Sequence, residues 1–173
     1  IFSLYVNKFQ NNVGMYFDSN QNFVIREYTF FSELFNIAED GLNDIRVREG
    51  SGFVTSSGTR VCQKFNQTGL WMSLESTMPV IRLPEMYYIL AECSDDYITY
   101  ANYMNNVRKA RGIQNVNYND NDGKMKHLEL EYRKEFYGEG QVWYYYERVF
   151  AESFLHCPVE KVTERNYVFT VPD

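Results

Sequence analysis

The chain is expected to be mainly α, built from tetratricopeptide-like helical hairpins that follow a loop-rich irregular region and a small β-hairpin. Three observations carry this. Apolar side chains recur at helical spacing after Leu83, and the glycines Gly138 and Gly140 break a second helical stretch into an elbow. By contrast, residues 1–36 hold neither a helical nor a strand period over a useful length.

From the N-terminus, the stretch FQNNVGMYFDSNQNF mixes aromatic pairs with amides and reads as a long ordered loop with short extended pieces. Phe31 to Ala38 is expected to form a short helix. Gly50 to Phe65 reads as a hairpin, with extended runs at Phe53–Thr55 and Arg60–Phe65 joined by Ser56-Ser57-Gly58-Thr59, whose glycine supplies the positive φ of a tight connection. Trp71 and Met72 follow in another loop.

Pro84 suits the first position of a helix, and Met86, Ile89, Leu90 and Cys93 then fall at i, i+3, i+4 and i+7. They predict a helix over Pro84–Cys93 that buries this stripe, with Cys93 as a small hydrophobe. Tyr97, Ala101, Met104 and Val107 form the facing stripe of a second, antiparallel helix. Basic Arg108, Lys109 and Arg111 and then Gly112 close it. A third helix carries Met125, Leu128, Tyr132 and Phe136 on one face, with Glu129 and Arg133 as an i,i+4 pair worth ~0.3 kcal/mol. Gly138 suits the left-handed position that ends it. Val142, Tyr146, Val149 and Phe150 then resume helical spacing. The expected organisation is an irregular region over 1–80, helical repeats over 81–157 and an extended C-terminal segment over 158–173. Repeat hairpins bury their faces against neighbours, so unpaired apolar surface is expected on these helices if neighbouring repeats are missing.

Composition narrows the function. With 45% hydrophobic residues the 173-residue chain has the material for a core. Its net charge is −6 and it has no run of Lys or Arg, which excludes nucleic acid as a partner. No segment approaches the ~20 apolar residues of a membrane helix. Cys62, Cys93 and Cys157 give neither a disulfide framework nor a zinc spacing, although a Cys62–Cys157 bridge stays open. In the loop VNYNDNDGKMK, Asp120, Asp122, Gly123 and Glu129 match calcium-loop positions, but Tyr118 stands where the first carboxylate is needed. Asp122 is therefore expected to cap the next helix.

No nucleophile elbow, phosphate loop or metal spacing is present. Glu135 and Glu139 have the types of a glycosidase pair, but Arg82, Arg133 and Arg148 make ion-paired structural carboxylates the better reading. We therefore assign no catalytic residue, no cofactor and no metal. The 15 Tyr, 13 Phe and 2 Trp instead offer flat apolar faces with polar tips. Outside the helices, Tyr16, Phe17, Phe53 and Trp71 are the candidates to stack on a sugar ring, with Asn11, Asn12 and Asn20 placed to reach its hydroxyls.

The stretch EYRKEFYGEGQVWYYYERV, Glu131 to Val149, carries E-x-R-x-E-F-x-G-E-G-Q followed by an aromatic cluster and Arg148. With PVIRLPEMYYILAE at Pro79–Glu92, MNNVRKARGI at Met104–Ile113, YVFTVPD at Tyr167–Asp173 and the D-x-R phrase Asp44-Ile45-Arg46, it resembles the SusD/RagB family of outer-membrane nutrient-binding lipoproteins of Bacteroidetes. Ile1–Leu4 looks like a phrase near the middle of longer members, so the resemblance implies a C-terminal portion. It further implies a SusD-like fold and a surface-exposed binding protein, not an enzyme. Such a protein would deliver a glycan or other nutrient to a SusC-like, TonB-dependent transporter, and would hold the membrane only through a lipid anchor outside this stretch. Arg82, Glu85, Arg133, Glu135, Glu139 and Arg148 would be structural motif residues. Glu139 is expected to be largely buried, held by an arginine or by amides at the start of the next helix. The chain departs from many members at Val142, where they have Arg, and at Tyr145, where they have Asp, so an ion pair made there elsewhere is missing. The alternative is a helical-repeat scaffold that docks proteins and has no ligand site of its own, with its aromatics buried.

Overall fold

The computed structural model describes residues 2–17, 23–36, 41–48, 51–67 and 76–168. Among them the chain is mainly α, as its sequence leads one to expect, and it forms two compact units, Ile1–Glu135 and Phe136–Asp173.

The first unit holds, in chain order, β1 (Phe2–Tyr5), α1 (Phe9–Asn12), β2 (Val24–Arg26), α2 (Glu27–Thr29), β3 (Phe53–Ser56), β4 (Thr59–Cys62), β5 (Thr77–Ile81), α3 (Leu83–Glu92), α4 (Tyr97–Ala110) and α5 (Asn121–Glu135). The second holds α6 (Gln141–Arg148) and α7 (Glu164–Tyr167).

The N-terminal stretch is more regular than its composition implies. β1 pairs antiparallel with β5, and β2 joins the hairpin to give the order β2-β4-β3. Strands of three and four residues are too short to show a period, and their partners lie far along the chain. Pro79 stands in β5 opposite Ser3, beside a register irregularity at Phe2 and Ser3, where a missing N–H is tolerated. In the hairpin Ser56 pairs with Thr59, and the two turn residues Ser57 and Gly58 both take positive φ. The second strand ends at Cys62, short of Phe65. The helix expected from Phe31 begins earlier: α2 runs into a π-helical turn over Phe30–Leu34, and Ala38 lies outside the described residues.

Beneath these elements lies a phenylalanine core. Phe30 packs on Phe35 and Phe53 with centroids 4.8 and 4.9 Å away, while Phe17 stacks on Phe23 at 4.6 Å and meets Phe65 edge-on at 5.0 Å. Such arrangements satisfy the ring quadrupoles as well as burying area.

α3 and α4 pack against each other across a four-residue link, where the Asp96 carboxylate caps α4 by accepting from the Thr99 N–H at 2.8 Å. α4 buries Ala101, Met104 and Val107 with Tyr100. α3 departs from expectation: it buries Tyr88 and Ala91, and Leu83, Met86, Ile89 and Leu90 remain 38 to 55% exposed. The physical reason is the Tyr88 hydroxyl, which a buried carboxylate requires, so the polar partner and not the largest apolar stripe orients the helix. Cys93 is accordingly exposed rather than buried, and all three cysteines are free. In α5, Leu128 and Tyr132 are buried but Met125 is exposed. The carboxylate before α5 that accepts from its first turn is Asp120, bonded to the Gly123 N–H at 2.6 Å, not Asp122.

In the second unit Gly138 and Gly140 both take φ near +77°, a conformation that residues with a Cβ rarely adopt. α6 buries Tyr145 and Tyr146, and Tyr146 stacks on Phe154 at 4.3 Å. Phe150, expected on the apolar face, is exposed. The C-terminal segment includes α7, started by a capping box between Thr163 and Asn166.

Candidate functional site

The first unit is pinned by a buried charge network. The turn Asp44-Ile45-Arg46 folds on itself because the Asp44 carboxylate accepts from the Arg46 N–H at 2.9 Å and, in a fork, from Arg46 Nε at 3.0 Å and Nη2 at 2.6 Å. The same guanidinium donates to Glu131 at 3.0 Å and Glu135 at 3.2 Å, one helical turn apart on α5. Glu131 also accepts from the Tyr88 hydroxyl and from Lys134 Nζ, both at 3.2 Å, and Arg108 stands 3.6 Å from it. Glu135 is gripped further by Arg82 Nη1 at 2.9 Å and by Arg111 Nε and Nη2 at 3.1 and 2.7 Å. The main-chain carbonyl of Glu135 accepts from Arg82 and Lys64.

Charges this deep survive only through mutual pairing. Burial pushes the carboxyls of Glu131 and Glu135 upward, but the surrounding cations, Arg46 foremost, outweigh it and hold both below the usual carboxylate range. Burial also works against the Arg46 charge, and Glu131 and Asp44 reverse that. Tyr88 is pushed well above its ordinary value, by burial first and Glu131 second, and stays a neutral donor.

The network includes some of the motif residues and not others. Arg82 and Glu135 face each other, whereas Arg148 lies over the Tyr145 ring at 5.6 Å. Glu139 is half-buried, not largely buried; the deeply buried carboxylates among the described residues are Asp44, Glu131 and Glu135. Glu85 and Arg133 are half-buried on α3 and α5. Arg46, Arg108, Arg111, Glu131 and Lys134 escape a sequence reading that treats charge as surface. Their signal is the spacing of Glu131 and Glu135, which alternate with Leu128 and Tyr132 on one apolar face.

The ligand candidates divide. Tyr16 is 48% exposed at the end of a 3-10 turn over Gly14–Phe17, with Asn11 and Asn12 exposed just before it. Phe17 and Phe53 are 4% and 1% exposed, and other phenylalanines occupy their faces, so neither ring is open to a sugar. Trp71 and Asn20 lie outside the described residues. Tyr5 and Tyr28, which carried no sequence signal, are also exposed.

A concavity of about 440 Å³ lies between α4, α5 and the loop joining them, lined by Arg108, Asn117, Tyr118, Asn119, Asp120 and His127. Arg108 Nη1 stands 3.3 Å from His127 Nε2, and because arginine only donates, that nitrogen accepts and the Nδ1–H faces the Tyr118 hydroxyl 2.6 Å away. Tyr118 also meets Tyr100 edge-on at 4.8 Å. The loop is clamped by Asn105, which bonds both the N–H and the carbonyl of Val116 at 2.9 Å, and by Arg108 Nε on the Gln114 carbonyl. Its polar groups thus hold one another.

The first unit is thus a set of helical hairpins knit by internal ion pairs, with Glu135 held as an arginine ligand. Residues 7–167 match the model of the SusD family, and the chain belongs to that family. No curated protein and no solved structure compared with it matches. SusD family members are nutrient-binding proteins associated with the outer membrane, not enzymes. Among the described residues no helix is long and apolar enough to cross a membrane.

Proposed function

We propose that this chain belongs to a surface-exposed lipoprotein that captures a glycan and passes it to a SusC-like, TonB-dependent transporter. The observation that carries the reading is the family match, which runs through the charge network and into the second unit. Ligand contact in the first unit falls to Tyr16 with Asn11 and Asn12: an exposed ring for the apolar face of a sugar, and amides for its hydroxyls. Trp71 is the second aromatic contact by residue type.

The test is affinity electrophoresis and calorimetry of the protein against a panel of glycans, with Tyr16→Ala and Trp71→Ala measured beside the wild type. The reading requires wild-type binding, weakened by at least one replacement with melting unchanged. A second reading, protein docking without a ligand, draws on the exposed stripe Leu83, Met86, Ile89 and Leu90. It would prevail if no glycan binds while replacing Met86 and Leu90 by Gln abolishes co-purification with the transporter.

A further inference from the structure

α6 ends in a Schellman motif. The Phe150 N–H donates to the Glu147 carbonyl at 3.1 Å and the Ala151 N–H to the Tyr146 carbonyl at 3.0 Å, which places Phe150 at the left-handed position with φ of 50°. Glycine is the residue that suits a left-handed φ, and the chain uses it at Gly112, Gly138 and Gly140, while Lys8, Ser57, Ser76 and His156 take such a φ with a side chain as Phe150 does. Phe150 carries a Cβ, and its ring is 73% exposed, so burial does not offset the backbone strain. A strained backbone that displays a large apolar ring to water asks for a functional explanation.

Phe150 lines a cleft of about 350 Å³, at the small end of the range for small-molecule sites, together with Glu152, Lys161, Thr163, Glu164 and Tyr167. The cleft is built rigidly. The Tyr167 hydroxyl donates to the Ala151 carbonyl at 2.7 Å, and the Val162 N–H donates to the Glu152 carbonyl at 2.7 Å. Trp143 packs on the Tyr167 ring at 5.1 Å, and the Thr163–Asn166 capping box fixes the rim. The charged groups lining it are two carboxylates, Glu152 and Glu164, and the Lys161 ammonium, with Lys161 and Glu152 paired at 2.8 Å across an exposed surface. Carboxylates accept from hydroxyls, an ammonium donates to them, and the acidic excess disfavours anionic sugars.

We propose that Phe150 is an aromatic platform for one neutral pyranose unit, whose hydroxyls are taken by Glu152, Lys161 and Glu164, making the second unit a saccharide subsite in its own right. This rests on the glycan reading above and adds to it a contact that does not involve Tyr16 or Trp71.

The experiment compares wild type, Phe150→Gly and Phe150→Trp by calorimetry with neutral malto-, cello-, xylo- and manno-oligosaccharides, alongside thermal melts. Glycine relieves the strain and removes the ring, so F150G melts higher and binds the wild type's preferred oligosaccharide about tenfold more weakly, the scale of one lost stacking contact. F150W keeps the wild-type affinity to within a few-fold. Unchanged affinity in F150G, with wild type binding, overturns the platform and leaves the glycan reading standing. A lower melting temperature in F150G overturns it too, because the ring would then be a packing residue. Failure of the wild type to bind any of the four sugars overturns the neutral-pyranose subsite, and failure across the whole glycan panel overturns the glycan reading as well.

Discussion

Replacing Glu135 by Gln tests whether the buried network is what fixes the first unit. The carboxylate accepts four hydrogen bonds from Arg46, Arg82 and Arg111. A glutamine oxygen has room for two of them, and its NH2 group would point further donors at donor-only guanidiniums. Stranding a buried ion-pair partner costs ~3 to 5 kcal/mol. The Arg82 and Arg111 side chains are each 21% exposed, and that access to water places the cost at the lower end, ~3 kcal/mol. At a urea dependence of ~2 kcal/mol per M, the unfolding midpoint followed by far-ultraviolet circular dichroism should fall by ~1.5 M. Glu152→Gln serves as the control, since its pair with Lys161 has side chains 70 and 62% exposed and surface pairs contribute little. A Glu135→Gln shift under ~0.5 M, or one no larger than that of Glu152→Gln, would refute the idea that this carboxylate holds the unit together.

The other predictions follow from the same geometry. Because the folded carboxyls of Glu131 and Glu135 lie below their ordinary value of ~4.3, the unfolded chain takes up protons first as pH falls. Their contribution is therefore full above about pH 5 and is lost progressively as pH falls below it, so urea midpoints should drop between about pH 5 and 3, less steeply in Glu135→Gln. Gly112→Ala combines a φ of +77° with a Cβ 3.2 Å from the Asn43 carbonyl oxygen, and should cost ~1 to 3 kcal/mol in the same assay; a neutral result would show that the turn at Asp44 yields easily. Phe53→Ala should cost ~3 to 5 kcal/mol and leave glycan affinity unchanged at equal folded fraction, since its ring is core. In the native protein a thiol reagent should modify Cys93 at once and reach Cys62 only on unfolding; equal rates would contradict their placement.

The sequence by itself determined the helical periods, the hairpin turn, the glycine elbow and, through the phrases around Arg82, Arg111 and Glu135, the family. These signals are local: each arises from residues within a few positions of one another, or from a phrase kept whole. Only the tertiary structure decided which face of α3 turns inward, because the answer depends on Glu131, 43 residues beyond Tyr88. It likewise decided that Glu131 and Glu135 are deeply buried while Glu139 is not, since their burial needs arginines from three distant segments at once. Phe17, Phe53 and Tyr16 are alike in composition and context, yet two are core and one faces water. An aromatic ring's type fixes what it can bind, while its exposure is set by neighbours that no short stretch of sequence contains.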